Sequence, residues 1–223
     1  MAITFPIPLV NFADVLDVAG GTFRLSESRR FSASARGEVF AREGGSRRWE
    51  GSVMLTPAPN ARAGGFDVML DVLTGSGASA LLYDHRQPYP ALDPYGSILG
   101  PSTVVIASVA GSFKELALQG LPSRYMLSRG DYLSFSYLDV IGAQQWSLHR
   151  VVDVLVEASD AGLTPTFEVS PHLPDDIVLV GAAVSLVKAA CKVVLRPQTV
   201  KHSAGSPGRV SDGQSFEFVQ TRR

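Results

Sequence analysis

The chain has 223 residues, of which 45% are hydrophobic and 18% are charged, and this composition argues against a largely disordered protein. Its 20 basic and 21 acidic residues leave a net charge of −1, which excludes the basic excess of a dedicated nucleic-acid or anionic-membrane binder. A single cysteine, Cys191, excludes an internal disulfide framework, and its apolar neighbours predict a buried thiol.

The charges are unevenly distributed along the chain. Residues 188–223 carry seven basic and two acidic side chains, whereas residues 63–187 carry five basic and thirteen acidic ones. This asymmetry indicates either an ordinary solvated surface or faces with different partners. The first ten residues lack a basic region and contain Pro6 and Pro8, so we expect no signal peptide, no membrane partner and folding in a cytoplasm.

Frequent Gly and Pro residues, 21 and 14 of them, favour many short strands and predict a mainly β protein. Alternating residues in 31–40 and 49–55 predict a hairpin that turns at Gly44 and Gly45. A helix is expected next, capped by Asn60, firm from about Gly64 and ended by Gly75. Its apolar stripe consists of Phe66, Met69, Leu70 and Leu73.

A strand is predicted at residues 80–83, followed by a stretch with four prolines that is a candidate domain crossing. Further strands are predicted at residues 103–107, 115–119, 132–137, 146–156, 165–169, 184–187 and 192–195. Their spacing is typical of a small barrel or sandwich. In the long segment, alternate residues from Trp146 to Val156 form the expected apolar face. Residues 200–212 are predicted to be a mobile loop, and residues 215–219 the final strand.

No catalytic or metal-binding set is apparent. The four histidines, His85, His149, His172 and His202, are isolated and lack metal-ligand spacing. His172 with Asp175 and Asp176 is the best polar cluster, but it lies in a predicted loop where such residues are common. His149 is expected to face solvent or to pair across strands.

Two local patterns have structural interpretations. Residues 75–80 match a glycine-rich nucleotide motif, but they follow a helix and precede a strand, so we interpret them as a turn. Arg42, Arg47 and Arg48 beside Trp49 could bind nucleic acid. Because Glu38, Glu43 and Glu50 are interleaved with them, cross-strand ion pairs or a contact between subunits are favoured.

Several short motifs together resemble a known family. They are residues 48–52 (RWEGS), 55–57 (LTP), 73–75 (LTG), 93–96 (DPYG), 116–121 (LALQGL), 127–133 (LSRGDYL), 148–151 (LHRV), 160–162 (DAG) and 169–173 (VSPHL). In this order they resemble tailed-phage distal tail and minor tail proteins, including those of prophages and gene-transfer agents. The pair Gly130 and Asp131 is itself interpreted as a tight turn in which the carboxylate binds backbone amides.

The resemblance implies a tail-tube-like β-sandwich with one helix, residues 1–87 and 188–223, and an inserted small β-barrel, residues 88–187. The last strand is expected beside residues 31–55. The implied protein is a non-enzymatic virion component without cofactor, metal or catalytic residue. It forms a ring, expected to be a hexamer, that joins the tail tube to the tip hub and receptor-binding proteins and lets DNA pass without specific binding.

Three alternatives stay open at this stage. The chain could be a tail-tube or tail-terminator subunit. It could instead be a carbohydrate-binding module that uses Tyr83, Tyr89, Tyr95 and Trp146, or a hydrolase that uses His172, Asp175 and Asp176.

Overall fold

The computed structural model describes residues 3–27, 29–33, 38–43, 47–175, 179–205 and 210–222. The predicted fold class is confirmed, because strands account for 41% of the chain and helices for 10%. Within the described residues there is one α-helix, α1 (Asn60–Leu73), together with 3-10 turns at Leu9–Asn11 and Ala13–Val15. This helix is too short to cross a bilayer, and no other described helix is long and apolar enough to do so.

The strands in chain order are β1 (Val18–Leu25), β2 (Arg29–Ala33), β3 (Val39–Glu43), β4 (Trp49–Leu55), β5 (Ala58–Pro59), β6 (Ala80–Tyr83), β7 (Val104–Val109), β8 (Glu115–Gln119), β9 (Met126–Ser128), β10 (Tyr132–Leu138), β11 (Gln144–Val151), β12 (Leu155–Glu157), β13 (Phe167–Ser170), β14 (Ala183–Ser185), β15 (Ala190–Leu195), β16 (Ala204–Gly205), β17 (Val210–Asp212) and β18 (Ser215–Gln220).

The chain divides into two compact units. The barrel unit comprises Met1–Val15, Ser79–Val193 and the last two residues, and the sheet unit comprises Leu16–Ala78 and Val194–Thr221. Strand β15 begins in the barrel unit and ends in the sheet unit. The expected division into a ring domain and an inserted barrel stays a prediction.

In the sheet unit, β4 pairs antiparallel with β1 on one side and with β18 on the other. The resemblance led us to expect the last strand beside residues 31–55, and β18 does pair with the last part of that range. Its register runs from Ser215 opposite Met54 to Val219 opposite Glu50. Residues far apart in sequence therefore form one sheet.

Gly51 lies at the centre of this sheet and is opposite both Phe23 and Phe218. Directly opposed residues project to the same face of a sheet. The two phenyl rings therefore converge over the position where Gly51 has no side chain, with their centroids 5.2 Å apart. Trp49, two residues along the same strand, packs its ring 5.5 Å from that of Phe23. Phe23, Trp49 and Phe218 are all buried and form the aromatic centre of the unit.

The prediction of a hairpin formed by residues 31–40 and 49–55 is wrong. Strand β2 pairs with β3, from Arg29 opposite Glu43 to Ala33 opposite Val39, so the chain already reverses within the first of these two segments. Strand β4 instead pairs with β1 and β18, and β1 is a strand that the sequence pattern does not predict. Gly44 and Gly45, the expected turn, lie outside the described residues.

Helix α1 buries the stripe that its sequence predicts, except that Ala63 replaces Met69 among the fully buried positions. Asn60 is not its cap: the helix begins at Asn60 after Pro59 and has no side-chain cap hydrogen bond. The Asn60 carboxamide oxygen instead accepts a hydrogen bond from the Ser211 hydroxyl at 2.8 Å. Residues 75–80 form the expected turn between α1 and β6.

The segment predicted as a loop, residues 200–212, contains β16 and β17, which form a small sheet with β5. The same segment is tied to α1 by Asp67, whose carboxylate accepts a backbone hydrogen bond from Ser203 at 3.0 Å. The Gln214 side-chain amide donates to the same carboxylate oxygen, Oδ1, at 2.7 Å. Short strands with polar sequences lack the alternation that identifies longer ones.

The barrel unit contains a closed antiparallel barrel in the order β10-β11-β13-β8-β7-β14. Its interior is filled by aliphatic and aromatic side chains, among them Ile106, Leu118, Leu133 and Phe167. The predicted strand at residues 146–156 is interrupted and forms β11 and β12. Strand β12 pairs with β9 at one end of the barrel.

The face of β11 that enters the barrel is the opposite of the predicted one. Ser147 and His149 are opposite Phe135 and Leu133 of β10, and both of these residues belong to the barrel core. Opposed side chains share a face, so Ser147 and His149 point inward. Trp146, expected to be core, is only partly buried on the other face.

The turn at Gly130 and Asp131 is confirmed. Gly130 has a φ of 95°, and the buried Asp131 carboxylate accepts hydrogen bonds from the backbone amides of Ser128 at 2.8 Å and Ala91 at 2.8 Å. The second bond fastens the proline-rich stretch to the barrel. Asp131 is thus a structural residue.

We predict that Gly51→Ala destabilises the protein, because a Cβ at this position would lie 1.8 Å from the Thr22 carbonyl oxygen and 3.0 Å from the Phe218 ring. The expected loss in the free energy of unfolding is at the upper end of about 1 to 3 kcal/mol, measured by urea denaturation. Gly64→Ala is the matched control, since a Cβ added there would have no heavy atom within 4 Å apart from the neighbouring backbone of its own helix. Gly64→Ala, which lies in α1, should raise the free energy of unfolding by up to about 1 kcal/mol. Equal stability of the two variants would contradict the close-approach argument.

Candidate functional site

His149 is a fully buried ionisable group with a serine hydroxyl beside it. Its solvent exposure is 0%, so it does not face solvent. Of the two expected roles, packing across strands is the one observed, because the imidazole stacks on Phe135 of β10. The Nδ1 atom lies 2.7 Å from the Pro171 carbonyl oxygen, and Nε2 lies 2.7 Å from the Ser147 hydroxyl. A carbonyl can only accept, so Nδ1 carries the proton and Nε2 accepts from Ser147.

The surroundings of this pair favour a structural role. The imidazole stacks on Phe135, with ring centroids 5.4 Å apart, and Ser147 is also buried. Burial lowers the pKa of His149 to about 4, although its hydrogen bond to Pro171 acts in the opposite direction. A substrate has no exposed path to a hydroxyl held inside a filled barrel, so the pair satisfies its own polar groups in an apolar interior.

A second polar cluster joins β6 to the β10–β11 hairpin. The Asp84 carboxylate accepts two hydrogen bonds from the Arg86 guanidinium, at 2.8 and 2.7 Å, and one from the Tyr132 hydroxyl at 2.9 Å. Burial alone would raise the pKa of Asp84, but the hydrogen bonds from Arg86 and Tyr132 outweigh it and lower the pKa. The Arg150 guanidinium lies over the Tyr132 ring and donates to its hydroxyl. A carboxylate with this many donors stays ionised and serves as an anchor.

The structure does not assemble the other candidate residues into a catalytic site. His172 and Asp175 are both exposed, and Asp176 lies outside the described residues. The His85 Nε2–H group donates a hydrogen bond to the Ala13 carbonyl oxygen at 2.9 Å, and the imidazole stacks on Tyr83. Among the described residues, no three His, Cys, Asp or Glu side chains lie close enough to hold a metal ion. Cys191 is fully buried, as predicted.

The four candidate sugar-binding aromatics differ in exposure. Tyr83 is buried, and burial raises its pKa to about 12. Trp146 is half-buried with the Lys192 ammonium 5.6 Å from its ring centroid. Tyr89 is partly buried, whereas Tyr95 is 83% exposed. Only Tyr95 among the four presents most of its ring to solvent.

The outer face of the sheet unit carries a row of charges across three strands. Glu50 of β4 pairs with Arg24 of β1 at 3.2 Å and also with Arg196, which lies 3.7 Å from Glu217 of β18. Cross-strand pairing was expected for Glu50, but with the arginines of residues 42–48. Its actual partners come from strands distant in sequence.

Arg47 and Arg48 lie exposed at the start of β4, next to the end of β1. The Arg47 Nε donates to the Ser26 carbonyl at 3.2 Å, and the Arg48 amide donates to the Ser26 hydroxyl at 2.9 Å. With Arg24 they form what we call the basic corner. Nothing is described of the Arg42 side chain. The basic corner is the candidate site, because exposed arginines are suited to pairing with an acidic surface.

Comparison with known proteins gives no assignment. No protein-family model matches the chain, and no curated protein matches it.

We predict that His149 makes the protein sensitive to acid. In the folded state the imidazole has a pKa of about 4, below its ordinary value of 6.5. As the pH falls, His149 is therefore protonated in the unfolded chain at a higher pH than in the folded protein. This contribution to stability is present above pH 6.5 and is lost as the pH falls towards 4. Between pH 7 and 5 the free energy of unfolding should fall by about 2 kcal/mol from this residue.

Urea denaturation across this pH range measures the effect. His149→Gln should flatten the pH dependence, while the matched control His172→Gln, at an exposed site, should keep it. If His149→Gln does not fold, the NMR titration of the native imidazole provides the test. A native pKa near 6.5 would contradict the prediction.

Proposed function

We propose that this chain is a structural protein of a tailed-phage virion, a ring-forming distal tail component that joins the tail tube to the tip hub and receptor-binding proteins. The observation that carries the proposal is the pairing of β18 with β4, from Ser215 opposite Met54 to Val219 opposite Glu50. The resemblance to tail proteins implies this return of the last strand. The barrel between β6 and β15 supports the same architecture.

A closed ring needs a heterologous interface, in which one patch of a subunit contacts a different patch of its neighbour. The charges along the chain provide such a pair: residues 188–223 have five more basic than acidic groups, and residues 63–187 have eight more acidic than basic groups. The exposed arginines of the basic corner add to the basic side of this pair. Complementary charges of this kind set register and association rate more than affinity.

We predict that assembly depends on the basic corner. Light scattering of the full chain should give a mass near six times 23.8 kDa, and raising the salt concentration from about 0.05 to about 1 M should reduce it, because screening shortens the reach of surface charges. Arg47→Glu combined with Arg48→Glu should shift the particle towards the monomer.

Lys114→Glu combined with Arg129→Glu is the matched control, because both side chains are exposed, both lie outside the basic corner and residues 188–223, and the change in net charge is the same. A particle mass unaffected by the arginine changes would contradict this interface. Long stacked tubes in place of a particle of fixed mass would instead favour a tail-tube subunit.

A further inference from the structure

His202 lies between two carboxylates of α1. Its Nδ1 atom is 3.4 Å from the Asp67 Oδ1 atom, and its Nε2 atom is 3.5 Å from the Asp71 Oδ1 atom. Asp67 and Asp71 are four positions apart in the helix, so they are neighbours on one of its faces. The imidazole therefore connects the segment before β16 to two successive turns of α1. We call these three residues the His202 clamp.

The clamp requires a proton on both ring nitrogens. A neutral imidazole has one N–H group and one nitrogen lone pair, whereas an imidazolium has two N–H groups. An ionised carboxylate only accepts hydrogen bonds, so in the neutral form one ring nitrogen directs its lone pair at a carboxylate oxygen. Only the imidazolium is attracted to both carboxylates. Histidine is the side chain whose charge ordinarily changes between about pH 5 and about pH 8.

Asp67 stays ionised throughout this pH range. Burial alone would raise its pKa, but hydrogen bonds from Ser203 and Gln214 outweigh burial and lower the pKa. Its Oδ1 atom accepts from the Ser203 amide at 3.0 Å and from the Gln214 side-chain amide at 2.7 Å. These two bonds use both lone pairs of the oxygen, so the contact of Asp67 with His202 is an interaction between charges. Its attraction ends when the imidazole becomes neutral.

The other charged groups around the clamp do not replace these contacts. Within the described residues, neither Asp67 nor Asp71 has another ion-pair partner. The remaining charged side chains on the elements next to His202 are Arg62 of α1, Lys201, Asp212 of β17 and Glu217 of β18. Arg62 is paired with Asp17 and Glu217 with Arg196. Lys201 and Asp212 are exposed and of opposite sign.

The segment is held firmly before His202 and weakly after it. Lys201 forms two backbone hydrogen bonds with Ser215, at 2.8 and 3.2 Å. Ser203 is bonded to Asp67 through its amide and its hydroxyl. Strand β16, which follows, has two residues and within the described part of the chain pairs with β17 alone. Repulsion at His202 therefore acts on the bonds of the next residue, Ser203.

We propose that the His202 clamp fastens residues 203–205 to α1 when His202 is protonated and releases them when it is neutral. The contribution to local stability is present at low pH and is lost as the pH rises through the range in which the imidazole loses its proton. The side chains of His202 and Asp71 are 47% and 66% exposed, so protons reach the imidazole without unfolding. The device does not depend on the proposed ring.

Hydrogen exchange of the full chain tests the clamp, with the backbone amide of Ser203 as the reporter. Exchange is followed by NMR from about pH 5.5 to about pH 8, and each rate is divided by the intrinsic rate at that pH. We expect the protection of this amide to fall about fivefold over the range, the upper value for an exposed ion pair. Acid destabilises the whole fold through His149, which is the opposite direction and cannot produce this result.

Three variants assign the effect to the clamp. His202→Gln should give, at every pH, the low protection that the unchanged chain has at about pH 8. Asp71→Asn removes one carboxylate and leaves the bonds between Ser203 and Asp67, so it should reduce the pH response. His172→Gln is the matched control, because His172 is an exposed histidine of the barrel unit, and it should keep the full response.

Equal protection of the Ser203 amide at both ends of the pH range would overturn the inference. A pH response that persists in His202→Gln, or that is unchanged in Asp71→Asn, would also overturn it. A parallel fall in protection at the core strand β6 would contradict a local device, because the whole fold would then be changing stability. A response confined to residues 203–205 and lost in His202→Gln supports the clamp.

Discussion

The close approach of β1 and β4 at Gly51 is the constraint on which the sheet unit depends. A side chain at this position would meet the Thr22 carbonyl oxygen, and it would also occupy the space where Phe23 and Phe218 meet. Because these rings come from the two neighbours of β4, the same small residue allows both pairings. The first strand and the last strand of the unit are therefore joined through one position without a side chain.

The barrel unit is organised by a different physical principle, which is the satisfaction of polar groups in an apolar interior. Ser147 and His149 are buried together, and their hydrogen bonds to each other and to Pro171 use the available donors and acceptors. Asp131 and Asp84 serve similarly at the edges, where each carboxylate accepts several hydrogen bonds. These buried polar groups specify a unique arrangement of the connecting segments.

Much of the fold follows from local pattern. Strands β6 and β8 have the predicted bounds, and β18 differs by one residue, because their alternation is regular and turn residues flank them. Strand β1 is not predicted from the sequence, because Gly20 and Gly21 interrupt its alternation of apolar and polar residues. The hairpin partner of β4 could not be deduced, since pairing depends on residues far away in sequence. A period of two identifies two faces on β11 but not which one enters the barrel.

The candidate surfaces are harder to predict from the sequence than the fold is. Arg47 and Arg48 attract attention as a cluster, yet the ion pairs of Glu50 involve Arg24 and Arg196. His202 is isolated in the sequence, because its partners Asp67 and Asp71 belong to a helix far away along the chain. Their meeting depends on the packing of the segment before β16 against α1, which no local pattern specifies.

Electron microscopy of the purified full chain tests the central claim most directly, by determining the shape and symmetry of the particles it forms. The account predicts annular particles of six subunits with an open centre. Compact particles of a single chain at all concentrations, including in the presence of tail-tube protein, would contradict it.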